Sequence, residues 1–456
     1  MKQLSFIKSK FCSYKDRYIL VISILWGIAI SMGKIANDDI VVAGKIGNSF
    51  RDIIKWTIEQ YNYWSSRQLI NFAWAIVLRY GRWAWFIYMS ISMFVMLKAL
   101  KLLFGDNKRV ELYVIALVMT FPFGTLMNAG WIATTISYFG PQAFALMALV
   151  PIKKVIQNDK FTFGELVFYT VCLIYGANAE QTCVVLLGCY IVANIYLFFE
   201  KKYNWRISWL TLISIASLIY TITCPGNWSR DDVETMAWFP TFGMLGIIDK
   251  ADIGVSTTLR WMLASGKLFI IVTCIMMTYF VWNRYKQPLY RFISMIPTIA
   301  VILLGPMANV LQLLFPYLEY ANKEVDYYGE FTADISKLGS GMLQFAIFLG
   351  IIICICVQLF LLNDNVQGLI VDFTLAVMAI ASRAMIGFVP SVYASNERTY
   401  TPLIFCMIAI SVHIYSNNIK KDEKIGKENH KEKYMWYGLI ILGYANLLYL
   451  VATAFY

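Results

Sequence analysis

Apolar runs long enough to cross a bilayer recur along nearly the whole chain, and no other feature constrains its fold as strongly. A spanning helix needs roughly 20 consecutive, mostly apolar residues. With 59% apolar and only 15% charged residues, a soluble globular protein is excluded. The pattern predicts one all-α, polytopic transmembrane helix bundle occupying 1–456. It has about thirteen spans by the length rule, the first at 18–36 and the last at 435–454. Residues 50–80 break the rule. "RDIIKWTIEQYNYW" is amphipathic and "LINFAWAIVLRYGR" is apolar but short, so both read as helices lying in the membrane interface within a first loop, 37–82.

Several chemistries drop out. The nine cysteines are odd in number, sit mostly inside apolar runs and form no C-x-x-C pair. The two histidines, His413 and His430, make no H-E-x-x-H motif, which excludes a zinc hydrolase of that kind. No internal repeat and no phosphate-binding glycine pattern is visible. The basic start "MKQLSFIKSKFCSYKDR" lacks a small-residue cleavage site after it, so the first apolar run reads as an uncleaved helix.

Lysine and arginine set the orientation. With the N-terminus in the cytoplasm, the inner segments carry about twice as many basic as acidic residues, and the remainder is near balance. The largest inner cluster lies in a charged cytoplasmic loop at 418–434. The net charge of +11 therefore reports topology and not nucleic acid, because the positive residues do not gather on one face. The expected location is a plasma membrane, multi-pass.

That orientation puts the polar motifs on the outer side: "NDDI" (37–40), "YWSSRQ" (63–68), "NAGWIATTISYFGPQ" (128–142), "YGANAEQ" (175–181), "CPGNWSRDD" (224–232) and "SVYASNERTY" (391–400). Outer loops are expected at 225–263 and 316–339. A bundle can bring six such helix ends into one pocket. For Thr134, Ser137 and Asn396 an ordinary polar loop explains as much.

Arginine stays ionised and presents a planar fork that fits phosphate oxygens. Arg67, Arg230 and Arg398 stand beside membrane ends, where a lipid phosphate would lie. Arg383 falls inside an apolar helix seven residues before Pro390, about 10 Å deep at ~1.5 Å per residue. A charge at that depth marks a functional site unless it pairs with a buried acid or snorkels. Glu180 sits in a break between two apolar runs. "PGNWSR" reads as a rigid turn, in which Asn227 tolerates a left-handed conformation and Arg230 is held in place. The indoles Trp64, Trp131 and Trp228 suit stacking on a sugar, and equally an interfacial aromatic belt.

Four of these elements together resemble the GT-C superfamily of integral-membrane glycosyltransferases, in particular bacterial multi-pass members of largely unknown function. They are Asp38-Asp39 after the first helix, Trp64-Ser-Ser-Arg67, Pro225-Gly-Asn-Trp-Ser-Arg230 and Glu397-Arg398. The likeness runs in order over nearly the full chain, through short motifs. Ser66 stands where a glycine is expected. The short helices at 50–80 also look like the interfacial helices of that superfamily's first outer loop.

The resemblance implies a sugar donor linked to polyprenyl phosphate, and an envelope glycan or glycolipid as acceptor, both met on the outer face. An acidic residue of the first outer loop would deprotonate the acceptor hydroxyl. That oxygen would invert the anomeric carbon while cations stabilise the departing lipid phosphate. Asp38 is the expected base and Asp39 its orienting or acceptor-binding partner. No cofactor is expected, with a divalent metal bridging the two as the alternative. Arg67, Arg230, Arg383 and Arg398 would hold donor phosphate; Trp64, Trp131, Tyr138, Glu180, Asn227 and Glu397 would line the substrate site. Two rival classes remain: a flippase or transporter of lipid-linked oligosaccharide, and a polysaccharide polymerase or ligase.

Overall fold

A computed structural model describes residues 16–47, 49–105, 107–127, 129–316, 325, 327–330, 338–424 and 432–453. Most of the expected loop 316–339, and 425–431 of the charged loop, lie outside the described residues. Among the described residues the chain is all helical and contains no strand.

Nineteen helices, counted among the described residues and leaving aside short 3-10 turns, carry the fold. The first five are α1 (Arg17–Ser31), α2 (Asp38–Lys45), α3 (Phe50–Tyr63), α4 (Gln68–Tyr80) and α5 (Arg82–Phe104). Then come α6 (Lys108–Met119), α7 (Trp131–Ile156), α8 (Phe163–Ala177), α9 (Glu180–Phe199) and α10 (Trp205–Ile222). After them run α11 (Pro225–Trp238), α12 (Ile247–Ala264), α13 (Leu268–Arg284), α14 (Pro288–Leu304) and α15 (Ala308–Leu314). The last four are α16 (Leu338–Leu362), α17 (Val366–Ala384), α18 (Thr401–Lys424) and α19 (Glu432–Thr453).

The expected count of about thirteen spans is not confirmed. Among the described residues eight helices are long and apolar enough to cross a membrane, or up to ten if each bent pair counts as one span. The reasons are local. The run 111–129 yields only the short α6, because Pro122 follows and cannot continue a helix. The α1 and α8 helices have 15 residues each, about 22 Å at ~1.5 Å per residue and so short of a bilayer core. At Gly266 the chain turns by 71° between α12 and α13, and after α14 it turns by 86° into α15. Gly266 has φ +66°, which glycine adopts without strain, and Gly305 lies so close that a Cβ there would sit 2.5 Å from its Cα.

Helix starts follow familiar chemistry. Ser49 with Asp52, and Thr162 with Glu165, close reciprocal capping boxes on α3 and α8. Asn365 accepts the Gly368 N–H at the start of α17. The α1 helix packs along α5, α17 along α18, and α9 along α10. Trp26, Trp85, Phe121, Phe139 and Phe405 fill the core. Outward faces stay oily: Leu212 and Ile219 on α10, Ile353 and Phe360 on α16, and Ile441 on α19 are all exposed. A contiguous apolar exterior of this kind belongs in a lipid bilayer.

Candidate functional site

The polar motifs gather at one end of the bundle. Residues 38 and 39, expected in a loop, begin the short helix α2, and the two carboxylates point to different environments. Asp39 is fully buried. Its Oδ1 accepts Trp74 Nε1–H at 3.0 Å and Ala133 N–H at 2.8 Å, and its Oδ2 accepts Ile132 N–H at 3.1 Å. Asp39 thus caps the first turn of α7, where the N–H groups have no intrahelical partner. Gly130 makes room: its φ is +119°, and a Cβ there would stand 2.7 Å from Asp39 Oδ2. Burial raises the Asp39 carboxyl to about 6 against these three donors. An acceptor-binding role beside Asp38 does not fit an acid so enclosed. No cluster of three or more His, Cys, Asp or Glu that could hold a metal ion occurs among the described residues.

Asp38 is exposed, and its own N–H donates to the Ala129 carbonyl at 3.1 Å. Crowding by the protein pushes its carboxyl above the ordinary aspartate range, and the charge of Arg398 pulls it back. Arg398 also acts on the hydroxyl of Tyr138, as does Arg67. The Arg67 guanidinium lies over the Tyr138 ring at 5.6 Å, and its Nε donates to Glu180 Oε2 at 2.7 Å. Glu180 in turn feels Arg230. The loop before α4, the middle of α7, the start of α9, α11, and the segment before α18 therefore meet α2 in one electrostatic chain. Tyr138 is carried by a single π-helical turn, Thr135–Phe139, a distortion that recurs at functional sites.

Two expectations are corrected in the 225–230 motif. "PGNWSR" is not a turn but the start of α11, with Pro225 at a first-turn position where its missing N–H costs nothing. Asn227 is helical, and it binds the chain instead of a substrate. Its Oδ1 accepts Ser66 N–H at 3.3 Å and its Nδ2 donates to Ser66 Oγ at 3.4 Å and to the Thr221 carbonyl at 2.9 Å. Gly226 lets the backbones touch, since a Cβ would meet Trp64 N at 2.4 Å. Asn178 completes the clamp, donating to the Ser66 carbonyl and accepting Ile70 N–H. Buried Ser66 thus packs where a glycine was expected, and the loop still presents Arg67.

Arg383 is 3% exposed, near the end of α17. Its guanidinium lies 4.3 Å from the centre of the Tyr400 ring, which stacks on Trp261. Its Nε and Nη1 have no hydrogen-bond partner, and neither does the buried Nε of Arg398. Expected pairing of Arg383 with a buried acid is not seen among the described residues. Gln181 fixes both arginines' surroundings by donating to the Ser382 and Thr399 carbonyls at 2.6 and 3.0 Å. Asn396, at φ +50°, accepts the Glu397 N–H and bends the chain into a 3-10 turn, Asn396–Tyr400.

The other expected residues fall elsewhere. Glu397 is held by Lys267, at 2.6 Å, and by the Trp261 indole. Arg230 leans on Glu234 at 3.9 Å, one turn along α11. Trp131 is 3% exposed and packs against Gly33, so it cannot stack on a sugar; Trp64 and Trp228 are exposed. Thr134 is buried and bonded to the Gly130 carbonyl, while Ser137 is half-buried. Sequence reasoning missed Trp74, Asn178, Gln181, Lys267 and Tyr400. Asn178 and Gln181 lay within "YGANAEQ" and Tyr400 within "NERTY", and Lys267 directly follows the glycine break "SGK"; Trp74, inside an apolar run, had no signal.

No known protein family, curated protein or solved structure matches this chain.

Proposed function

We propose that the chain is a membrane glycosyltransferase, moving a sugar from a polyprenyl-phosphate donor to an envelope glycan or glycolipid. The observation that supports this most is the pairing of unlike groups at one end of the bundle. An exposed carboxylate, Asp38, lies within electrostatic reach of Arg398, and buried guanidinium N–H groups on Arg398 and Arg383 lack partners. Buried donors left unsatisfied are costly, on the order of 1–3 kcal/mol each, and a phosphate would satisfy them.

In this reading Asp38 takes the proton of the acceptor hydroxyl. The oxygen forms a bond to the anomeric carbon from the face opposite the phosphate. The bond from that carbon to the phosphate oxygen breaks, its electron pair stays on the phosphate, and Arg383 and Arg398 donate to the charge that develops. Arg67, committed to Glu180, and Arg230, shared with Glu234, position the site from one side. Exposed Trp64 and Tyr138 in its π turn are the candidates for contact with sugar. The site would face the outside of a plasma membrane, since soluble nucleotide sugars are cytoplasmic and a lipid-borne donor is needed only outside.

The test is transfer from a synthetic polyprenyl-phosphate sugar by purified protein in detergent. Asp38→Asn keeps size and polarity but cannot accept a proton, so the rate should fall about 10²–10⁴-fold in a normally folded protein. Near-native turnover in that variant would falsify the mechanism.

A transporter reading keeps one observation in its favour. The bent pairs α12–α13 and α14–α15 break at glycines that pack together, beside the Lys267–Glu397 pair, and broken helices beside charges are common in transporters. Movement of a fluorescent lipid-linked sugar across proteoliposomes, abolished by Lys267→Met without any transfer activity, would select it.

A further inference from the structure

At the end of the bundle away from Asp38, a cavity of about 400 Å³ lies between α5, α7, α9, α17 and α18. That volume falls in the range of ligand sites, roughly 300–1,000 Å³. Its inner wall is apolar, with Leu146, Leu149, Val192 and Leu375 among its lining residues. Two lysines stand on the lining, Lys153 and Lys420, and each charge acts on the other. Lys153 donates to the Leu102 carbonyl at 2.8 Å and feels Asp159, and Lys420 is exposed. Neither lysine forms an ion pair with a carboxylate among the described residues. Three other basic side chains at this end are paired: Lys154 with Glu165, Lys421 and Arg284 with Asp364.

One wall is built on a buried polar network. The His413 ring lines the cavity, its Nδ1 2.7 Å from Oδ1 of the fully buried Asp372, and Asn417 Nδ2 meets its Nε2 at 3.0 Å. Asn363 donates to the second Asp372 oxygen at 2.7 Å. A network with each member partnered holds its wall in one arrangement, which keeps the space open. An apolar chamber with two unpaired cations on its lining matches an amphiphile: hydrocarbon inside, anionic head at the lysines.

We propose that this cavity binds one anionic phospholipid, its acyl chain in the chamber and its net-negative phosphate headgroup at Lys153 and Lys420. This site stands apart from the glycosyltransferase reading and survives its failure. The probe is phosphatidic acid with a photoreactive group on the acyl chain, added to protein in phosphatidylcholine vesicles. A phosphatidylcholine carrying the same chain serves as its comparison. Phosphatidic acid should label peptides spanning 189–196 and 367–375 and the comparison lipid should not. Each lysine near a headgroup is worth roughly fivefold in binding, so Lys153→Gln with Lys420→Gln should cut labelling about 25-fold. Thr374→Trp, which fills the chamber and spares both lysines, should abolish it. Equal labelling by the zwitterionic lipid overturns the proposal, and so does full labelling in Thr374→Trp. Displacement by millimolar inorganic phosphate overturns it too, by assigning the lysines to a free anion. If the double lysine variant does not fold, the headgroup comparison and Thr374→Trp decide alone.

Discussion

Two groups of buried charge, one at each end of this bundle, are built in opposite ways. Away from Asp38, buried Lys98 reaches Asp16 at 2.6 Å, Lys101 bridges Asp16 and Glu111 at 3.1 and 3.2 Å, and Arg109 meets Glu432. At the Asp38 end, Arg383 is sunk in the protein and half-buried Arg398 keeps a buried Nε, and no group among the described residues accepts these N–H groups. A buried ion pair holds a fold in one register, and breaking it strands a charge. A buried cation without a partner does nothing for the fold that an apolar residue would not do better. The difference teaches where to look for chemistry: at the charges that packing leaves unsatisfied.

The largest stability effect expected from this contrast is at the paired end. Asp16→Asn should destabilise the protein by about 3–5 kcal/mol, because Lys98 loses its carboxylate in a buried place. Arg383→Met should leave the midpoint of thermal unfolding in detergent unchanged or raised, while transfer activity falls. If instead Arg383→Met unfolds the protein and Asp16→Asn does not, the two ends have been assigned the wrong way round.

Asp39 sharpens the comparison, since it is a satisfied charge at the unsatisfied end. An amide there can accept through one oxygen only and turns its NH₂ toward incoming N–H donors, so Asp39→Asn should cost about 1–3 kcal/mol near pH 7. Its pH signature has a definite sign. The folded carboxyl is raised from 3.8 to about 6, so between those values the folded state binds more protons than the unfolded one. Stability contributed by this group is therefore full below about pH 4 and declines up to about pH 6. Denaturation curves across that window should lose this slope in the variant. An unchanged slope would place Asp39 in water.

The smallest effect is a displacement of a pH profile. If Asp38 is the base, activity rises as it deprotonates, with an acid limb above the ordinary aspartate range. Arg398 holds that limb down, so in Arg398→Ala the residual activity should titrate at higher pH. A limb that stays put would separate Arg398 from Asp38.

Much of this was readable in advance. The two short helices expected at 50–80 exist as α3 and α4, and Glu180 does begin a helix after a break. Asp38, Arg67, Tyr138, Glu180, Arg230 and Arg398, named from five separate motifs and one long outer segment, do form a chain of interacting charges. What could not be read was the division of labour within each motif. Neighbouring Asp38 and Asp39 share composition and position, yet successive residues on a helix point about 100° apart, and only one faces the start of α7. Asn227 and Gly226 looked like a turn and are a clamp on Ser66.

By itself the sequence determined that the chain is a helical membrane bundle, because lipid accepts only segments that satisfy their own backbone and offer apolar side chains. It also determined which residue types would collect at one end. The tertiary structure alone decided which of those residues are used up in holding the fold. Hydrogen-bond partners come from places distant in the chain, as when Gln181 ties Ser382 to Thr399. Whether a charge is satisfied or free is a property of the packed neighbourhood, and no spacing along one strand of sequence records it.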